Sequence, residues 1–342
     1  MVHAAALPLL TLCLPLGTAA LEISTGLALA AALPHLREAP RDLLLPLALI
    51  TLGALFAAID QSVIAMRHVA AIPWALAPLL AVPLLSRDAA TVHNAERIGL
   101  ISAAVVGAGA VIWAGWQDQW PARGPFSHHL TLGYALLVPL AIALERRRWG
   151  LAAAIAAGSL STLSAGPLLS LVVLLAAMRI RPLYALIGGA IVAVGIVGLL
   201  TEQPMLQERA TLWAAGARMT ITAPLGAGAG MFRSPMADTQ DLLSPGFHFP
   251  LHAHDTALQI GAILGIGGWI GWAWLIGALW RRAQRGGRAA IAAIAIGGLT
   301  QDTLGDLEVI RALCAWPLLN WPKNRTEPTT RRSNPNMTEE EV

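Results

Sequence analysis

The chain reads as an all-α polytopic membrane protein with about twelve transmembrane helices and one large loop between the ninth and the tenth. Apolar residues fill 56% of the 342 positions, while charged residues fill only 13%. The charges also gather in short arginine clusters between long charge-free runs. A soluble domain carries about 25% charge. The runs Ile98–Trp116, Pro182–Leu200 and Thr256–Trp280 are each long enough to cross a bilayer as a helix. Only a helix satisfies its own backbone within lipid. A buried soluble helix accounts for one such run but not for a series.

In chain order the spans fall at 4–19, 21–34, 43–59, 69–86, 98–116, 129–144, 150–164, 167–178, 183–200, 255–279, 289–303 and 308–321. Gly17 and the turn-prone Ser164-Ala165-Gly166-Pro167 divide two longer apolar stretches into helix pairs. With the N-terminus in the cytoplasm, only Arg67, Arg123, Arg209, Arg218, Arg233 and Arg311 face outward, leaving 17 of the 23 basic residues inside. That asymmetry is the positive-inside pattern. The chain thus divides into spans one to nine (1–200), an outer loop (201–254), spans ten to twelve (255–321) and a polar tail (322–342). The tail holds Pro328 and Pro335, ends in three glutamates, and is expected to be disordered and cytoplasmic.

Several function classes are disfavoured. The isoelectric point near 9.4 follows from the inner arginine clusters and is no sign of a nucleic-acid partner. Cys13 and Cys314 lie inside apolar spans and form no metal or redox pattern. The first span has no cleavage site leading into a soluble domain, so it is expected to be a retained helix. Tryptophans near span ends, such as Trp116, Trp120, Trp280 and Trp321, fit an interfacial belt.

The outer loop stands apart because long ordered loops in compact proteins usually carry function. It holds Arg209, Arg218, Arg233, Trp213, His248, His252 and His254. Glu208-Arg209-Ala210-Thr211-Leu212-Trp213 begins an amphipathic helix lying along the outer surface. The segment from Pro224 to Phe232 has the glycine density of a phosphate loop. No strand precedes it and no Lys-Ser/Thr follows, so a nucleotide is not expected. Its glycines instead let the backbone turn tightly or approach a ligand. On a helix starting near Asp255, His254, Leu258 and Gly261 share one face, and Asp255 and Gln259 the adjoining one. Histidine at that mouth suits proton exchange near neutral pH, and interfacial anchoring is the alternative for His252 and His254. His128 and His129 follow Arg123-Gly124-Pro125-Phe126 as a second polar cluster on the same side, lining a substrate groove or anchoring the helix end. Asp302, Asp306, Glu308 and Arg311, near the last outer turn, are expected to pair with one another in a structural role.

Arg209-Ala210-Thr211-Leu212-Trp213, then Pro224-Leu225-Gly226-Ala227-Gly228-Ala229-Gly230-Met231-Phe232, then His254-Asp255 with Gln259, Gly265 and Gly268 resemble the O-antigen ligase and O-antigen polymerase superfamily. The detailed likeness covers about residues 209–268; elsewhere it is mainly hydropathy. The twelve spans and the loop between the ninth and tenth also resemble that family. Two positions depart from its pattern. Asp255 stands where Asn or Ser is usual, and Ser164-Ala165-Gly166 stands where many members have Ser-Arg-Gly. Arg123, Arg218 and Arg233 are candidates for the missing arginine's role; otherwise this member is impaired.

The resemblance implies a multi-pass protein of the bacterial inner membrane with its active site facing the periplasm. The implied donor is an undecaprenyl-diphosphate-linked glycan. The first-choice acceptor is lipid A–core, because the loop is short and no further soluble domain follows. In that reading Arg209 holds the diphosphate, since a guanidinium fork matches phosphate oxygens, and His254 accepts the acceptor's proton. Contact between Arg209 and lipid phosphates is the structural alternative. Arg218, Arg233, Arg123, His252, Asp255, Gln259, His128 and His129 are the candidate substrate-binding residues, with Asp255 or Gln259 orienting the His254 ring. No Asp-x-Asp pair faces outward, so neither metal nor other cofactor is expected, and membrane lipids are the remaining partner. Polymerase and protein O-oligosaccharyltransferase differ from ligase only in acceptor. A transporter of lipid-linked glycan is the reading from another class; it predicts broken helices and mid-membrane charges. The sequence offers only proline-bearing spans (Pro73, Pro78 and Pro83; Pro139), with most charges at helix ends.

Overall fold

A computed structural model describes residues 2–58, 71, 72, 74–126, 128–179, 184, 187, 204–228, 253, 255–299, 303 and 307–319. All regular structure among them is helical. In chain order the α-helices are α1 (Val2–Cys13), α2 (Thr18–Ala32), α3 (Arg41–Ala58), α4 (Pro78–Leu85), α5 (Ala89–Gln117), α6 (His129–Glu145), α7 (Trp149–Leu160), α8 (Ala165–Arg179), α9 (Pro204–Thr222), α10 (Thr256–Arg282), α11 (Arg285–Gly298) and α12 (Leu307–Leu319). A 3-10 turn, Leu33–Glu38, extends α2. Among the described residues three stretches are long and apolar enough to cross a membrane: Ala19–Glu38, Ala89–Gln117 and Thr256–Arg282. His129–Glu145, Trp149–Leu160 and Ala165–Arg179 are shorter apolar helices.

Eleven of the expected spans coincide with a described helix in whole or part, and the one at 183–200 lies outside the described residues apart from positions 184 and 187. The helix pairs separate where expected. Gly17 breaks α1 from α2 with φ +93°, and a Cβ there would lie 2.8 Å from the Pro125 carbonyl. Residues 161–164 break α7 from α8. Bounds shift by a few residues in several spans, such as α1 and α11, and two differ in ways that local structure explains. α5 starts at Ala89 instead of Ile98, because Asp88 caps it by accepting from Thr91 N–H at 2.7 Å. The span expected over 69–86 turns at Leu76–Ala77 ahead of α4.

The centre of the bundle is α6, buried continuously from Thr131 to Ala143. Close packing depends on small residues, as in helix bundles generally within lipid. A Cβ at Gly158 on α7 would lie 2.4 Å from the Gly107 Cα on α5. One at Gly53 on α3 would lie 2.7 Å from the Leu264 carbonyl of α10. Ion pairs near helix ends tie elements together. Arg146 grips Glu96 through two bonds of 3.0 and 3.1 Å, Arg87 binds Glu38 at 2.8 Å, and Arg282 binds Asp42. Arg311 on α12 is fully buried and binds Glu22 on α2 at 2.6 Å, with Trp74 Nε1 also donating to Glu22. Glu22 is thus an acidic partner of Arg311 from another helix, and of the neighbours expected to pair with it Asp302 and Asp306 lie outside the described residues.

Candidate functional site

The amphipathic helix expected in the loop is α9, and its faces fix where its arginines point. Leu212, Gly216 and Met219 are buried and Arg209 and Trp213 half-buried along one side, whereas Ala210, Ala214 and Arg218 are exposed. Arg209 and Arg218 are nine positions apart, which at about 100° per residue is half a turn. They therefore point in opposite directions. Burial pulls the Arg209 guanidinium below its ordinary pKa, and the nearby Tyr134 of α6 opposes the shift. An arginine remains a cation throughout the neutral range.

The inward face of α9 rests on the first half of α10. Leu212, Met219, Ala253 and Ala262 form a small core separate from that of the bundle, with Ala215, Ala227 and Leu258 packed on it. At Gly261 a Cβ would meet the Thr220 hydroxyl at 2.6 Å, so the two helices touch nearly backbone to side chain.

Directly after α9 the chain turns and enters α10. Gly226 N–H closes the turn on Ala223 O at 2.8 Å, with Gly226 at φ +96°. α10 is broken at Gly265, where φ is 68° and ψ −170°. The break is filled by loop backbone. Ala227 N–H donates to Ala262 O at 2.9 Å, Gly228 N–H to Ile263 O at 3.2 Å, and Ile266 N–H to Pro224 O at 2.9 Å. A Cβ on Gly226 would lie 2.4 Å from Ile263 O, and one on Gly265 would lie 2.3 Å from Pro224 O. What these glycines let approach is the backbone of α10, and both positive φ values favour glycine.

The start of α10 is tightly tied. Asp255 caps it, accepting Leu258 N–H at 2.8 Å, and the buried Gln259 side-chain carbonyl accepts Ala253 N–H at 2.7 Å. Burial raises the Asp255 pKa, outweighing its bonds from the Leu258 and Ala257 amides. Thr256 Oγ1 shares a 2.9 Å hydrogen bond with Thr303 Oγ1 and accepts Thr303 N–H at 3.0 Å. Below this lies the end of α11. A Cβ on Gly298 would meet Thr256 Oγ1 at 3.0 Å and one on Gly297 would meet Tyr134 at 2.4 Å. The Tyr134 hydroxyl donates to Gly297 O at 3.4 Å. α6, α10 and α11 therefore meet around Tyr134, Gly297 and Thr256, and α9 rests on α10.

His128 and His129 stack with ring centroids 4.2 Å apart. His128 caps α6, its Nδ1 accepting Leu130 N–H at 3.2 Å. Burial, and then the charge of Arg123, lower the His128 pKa, which favours the neutral ring at pH 7. Arg123 itself is exposed, and the neighbouring Ala122 N–H binds Ser161 O at 3.0 Å. That bond sets Arg123 beside the α7–α8 turn that leads into Ala165.

No family model and no curated protein matches the chain.

The functional reading therefore rests on the residues. The structure sets Arg209 on α9, Asp255, Gln259, Gly265 and Gly268 at the cap and within the first half of α10, and the Pro224–Gly228 segment against the break in α10. It sets Arg218 on the far side of α9 and places Arg123, His128 and His129 around the start of α6. Arg233, His248, His252 and His254 lie outside the described residues. Asp255 and Gln259, the two candidates to orient the His254 ring, bind backbone amides on either side of position 254. Two contributors escaped the sequence reading. Tyr134 is an isolated tyrosine within an apolar span, and Thr303 lies beyond α11; neither carries a local signal.

Proposed function

We propose that the chain is a twelve-span glycosyltransferase of the O-antigen ligase type, with its N-terminus in the cytoplasm and α9 on the periplasmic side. It moves a glycan from undecaprenyl-diphosphate to lipid A–core. The observation carrying this reading is the convergence of three sequence-separated motifs on the first half of α10: the helix bearing Arg209, the glycine segment, and the Asp255–Gln259 clamp around position 254. The apolar stretches long enough to cross a membrane support the setting, and the asymmetry of the basic residues supports the orientation.

In this mechanism the acceptor hydroxyl oxygen bonds to the anomeric carbon as the carbon–oxygen bond to the diphosphate breaks, with inversion. The hydroxyl proton passes to His254, and the departing lipid diphosphate takes the bonding electron pair. Arg209 offsets its growing negative charge. The half-buried setting strengthens that interaction relative to water. The activated diphosphate supplies the driving force.

Transfer from an undecaprenyl-diphosphate donor to lipid A–core by purified protein, wild type against Arg209→Ala and His254→Ala, tests the reading. Transfer by wild type that collapses in both folded variants supports it. Transfer surviving in the variants overturns the site assignment. Elongation of lipid-linked repeats without ligation moves the function to polymerase, and transfer to a protein hydroxyl moves it to O-oligosaccharyltransferase.

One observation favours the other class. The break in α10 at Gly265 is of the kind that discontinuous transporter helices show. Loss of lipid flipping in vesicles bearing His254→Ala would favour a transporter of lipid-linked glycan. Unchanged flipping with lost transfer would favour the enzyme.

A further inference from the structure

In an unbroken α-helix the N–H of residue i binds the carbonyl of residue i−4, so Ala262 O and Ile266 N–H would be each other's partners. Here Ala262 O accepts from Ala227 and Ile266 N–H donates to Pro224 O. Ile263 O, whose helical partner would be Gly267 N–H, accepts from Gly228. Each group lining the break therefore has a second partner within α10 itself. Closing Gly265 to helical φ and ψ would satisfy α10 without the loop. Buried backbone groups must be paired in either arrangement, and this pair of arrangements meets that demand for α10.

The apolar part of the attachment between α9 and α10 is the small separate core built on Leu212, Met219, Ala253 and Ala262. The other side of α10 is anchored firmly: Ile260 and Leu264 belong to the main core, and Gly53 of α3 packs on the Leu264 carbonyl. One face of α10 thus packs on the main core while the other carries α9 and its loop. Arg209 rides on that unit.

We infer that α9 and residues 223–228 form a lid seated in the break of α10, and that the lid lifts as α10 closes into a continuous helix behind it. Two hydrogen-bonded states of one element give a discrete switch in place of gradual loosening. Lifting withdraws Arg209 from beside Tyr134 and opens a lateral path to the start of α10, as a lipid-linked substrate requires. That use of the lid rests on the proposed glycan transfer; the exchange of hydrogen bonds does not.

Residue-resolved amide hydrogen exchange on the full chain in lipid nanodiscs, without substrate, tests the lid. Gly265→Ala disfavours the positive φ and puts a Cβ against Pro224 O, so it drives closure. Leu212→Ala weakens the lid's core and leaves the hinge intact, and it decides the matter alone should Gly265→Ala fail to fold. In each folded variant exchange at Ala227 and Gly228 accelerates about tenfold or more, while Ile266 stays within about twofold of wild type because Ala262 O now binds it. Acceleration at Ile266 together with Ala227 and Gly228 would mean local unfolding and would overturn the lid, as would unchanged exchange at Ala227 and Gly228. Because the readout involves no glycan, a failed transfer assay leaves this result standing.

Discussion

The Gln259 side-chain carbonyl accepts the backbone N–H of Ala253 at 2.7 Å, reaching back from inside α10 to the chain before it. With the Asp255 cap, this bond holds the backbone before and after position 254. Gln259→Leu leaves a buried amide unsatisfied, a loss of about 1–3 kcal/mol. The expected result is a lower unfolding midpoint, with kcat falling more than KM rises, since binding groups elsewhere are untouched. A Gln259→Leu protein with wild-type stability and kcat would remove Gln259 from the positioning of the site.

Asp255 gives a pH test whose direction follows from burial. Its carboxyl pKa is raised in the folded chain. The proton it retains on folding favours the native state below the unfolded carboxylate pKa, about 3.9, and that contribution fades as pH rises through the raised folded value. Asn is an equally good cap without the charge. The melting temperature of Asp255→Asn should therefore gain on wild type as pH climbs from about 4 through that window, then run parallel to it. Transfer should persist in the variant. A constant difference at all pH values would show that the carboxyl is not perturbed.

The two arginines of α9 should separate in mutagenesis. Arg209→Lys keeps the charge but loses the fork, removing one charge-assisted bond worth about 1.5–3 kcal/mol, or about tenfold to a hundredfold in kcat/KM. Arg218, exposed on the opposite side, should tolerate Ala with transfer within about twofold of wild type, as surface substitutions usually do. Equal losses in both variants would mean that the substrate reaches both faces of α9.

Arg311 is fully buried and bonded to Glu22, with Nε and Nη1 lacking partners among the described residues. Glu22→Ala strands that charge, and removing one partner of a buried pair costs about 3–5 kcal/mol. Replacing both, as Glu22→Leu with Arg311→Met, should recover most of the loss. Thermal unfolding in detergent reads the difference; equal destabilisation by the single and double replacements would argue against coupling.

Local signals made parts of this molecule legible in the sequence. Gly17 and the Ser164–Pro167 turn divide helix pairs because chain reversal needs such residues, and the 3.6-residue period exposes the Arg209 face of α9. The break at Gly265 was not legible. A glycine in a run of apolar residues reads as continuous helix, and the backbone that fills the gap comes from Pro224–Gly228, far back in the chain. Tyr134 and Thr303 were hidden for the same reason, since their partners come from other helices. The span expected from Ile98 is shorter than α5 because hydropathy alone does not register the polar first turns that follow the Asp88 cap.

Gly107 and Gly158 bring α5 and α7 together with no side chain between them, so their spacing there is set by backbone alone. Such a contact behaves like a fixed ruler. Spectroscopic labels placed on the exposed sides of these two helices should report one narrow distance under every condition, supplying an internal zero against which displacement of any other segment can be calibrated.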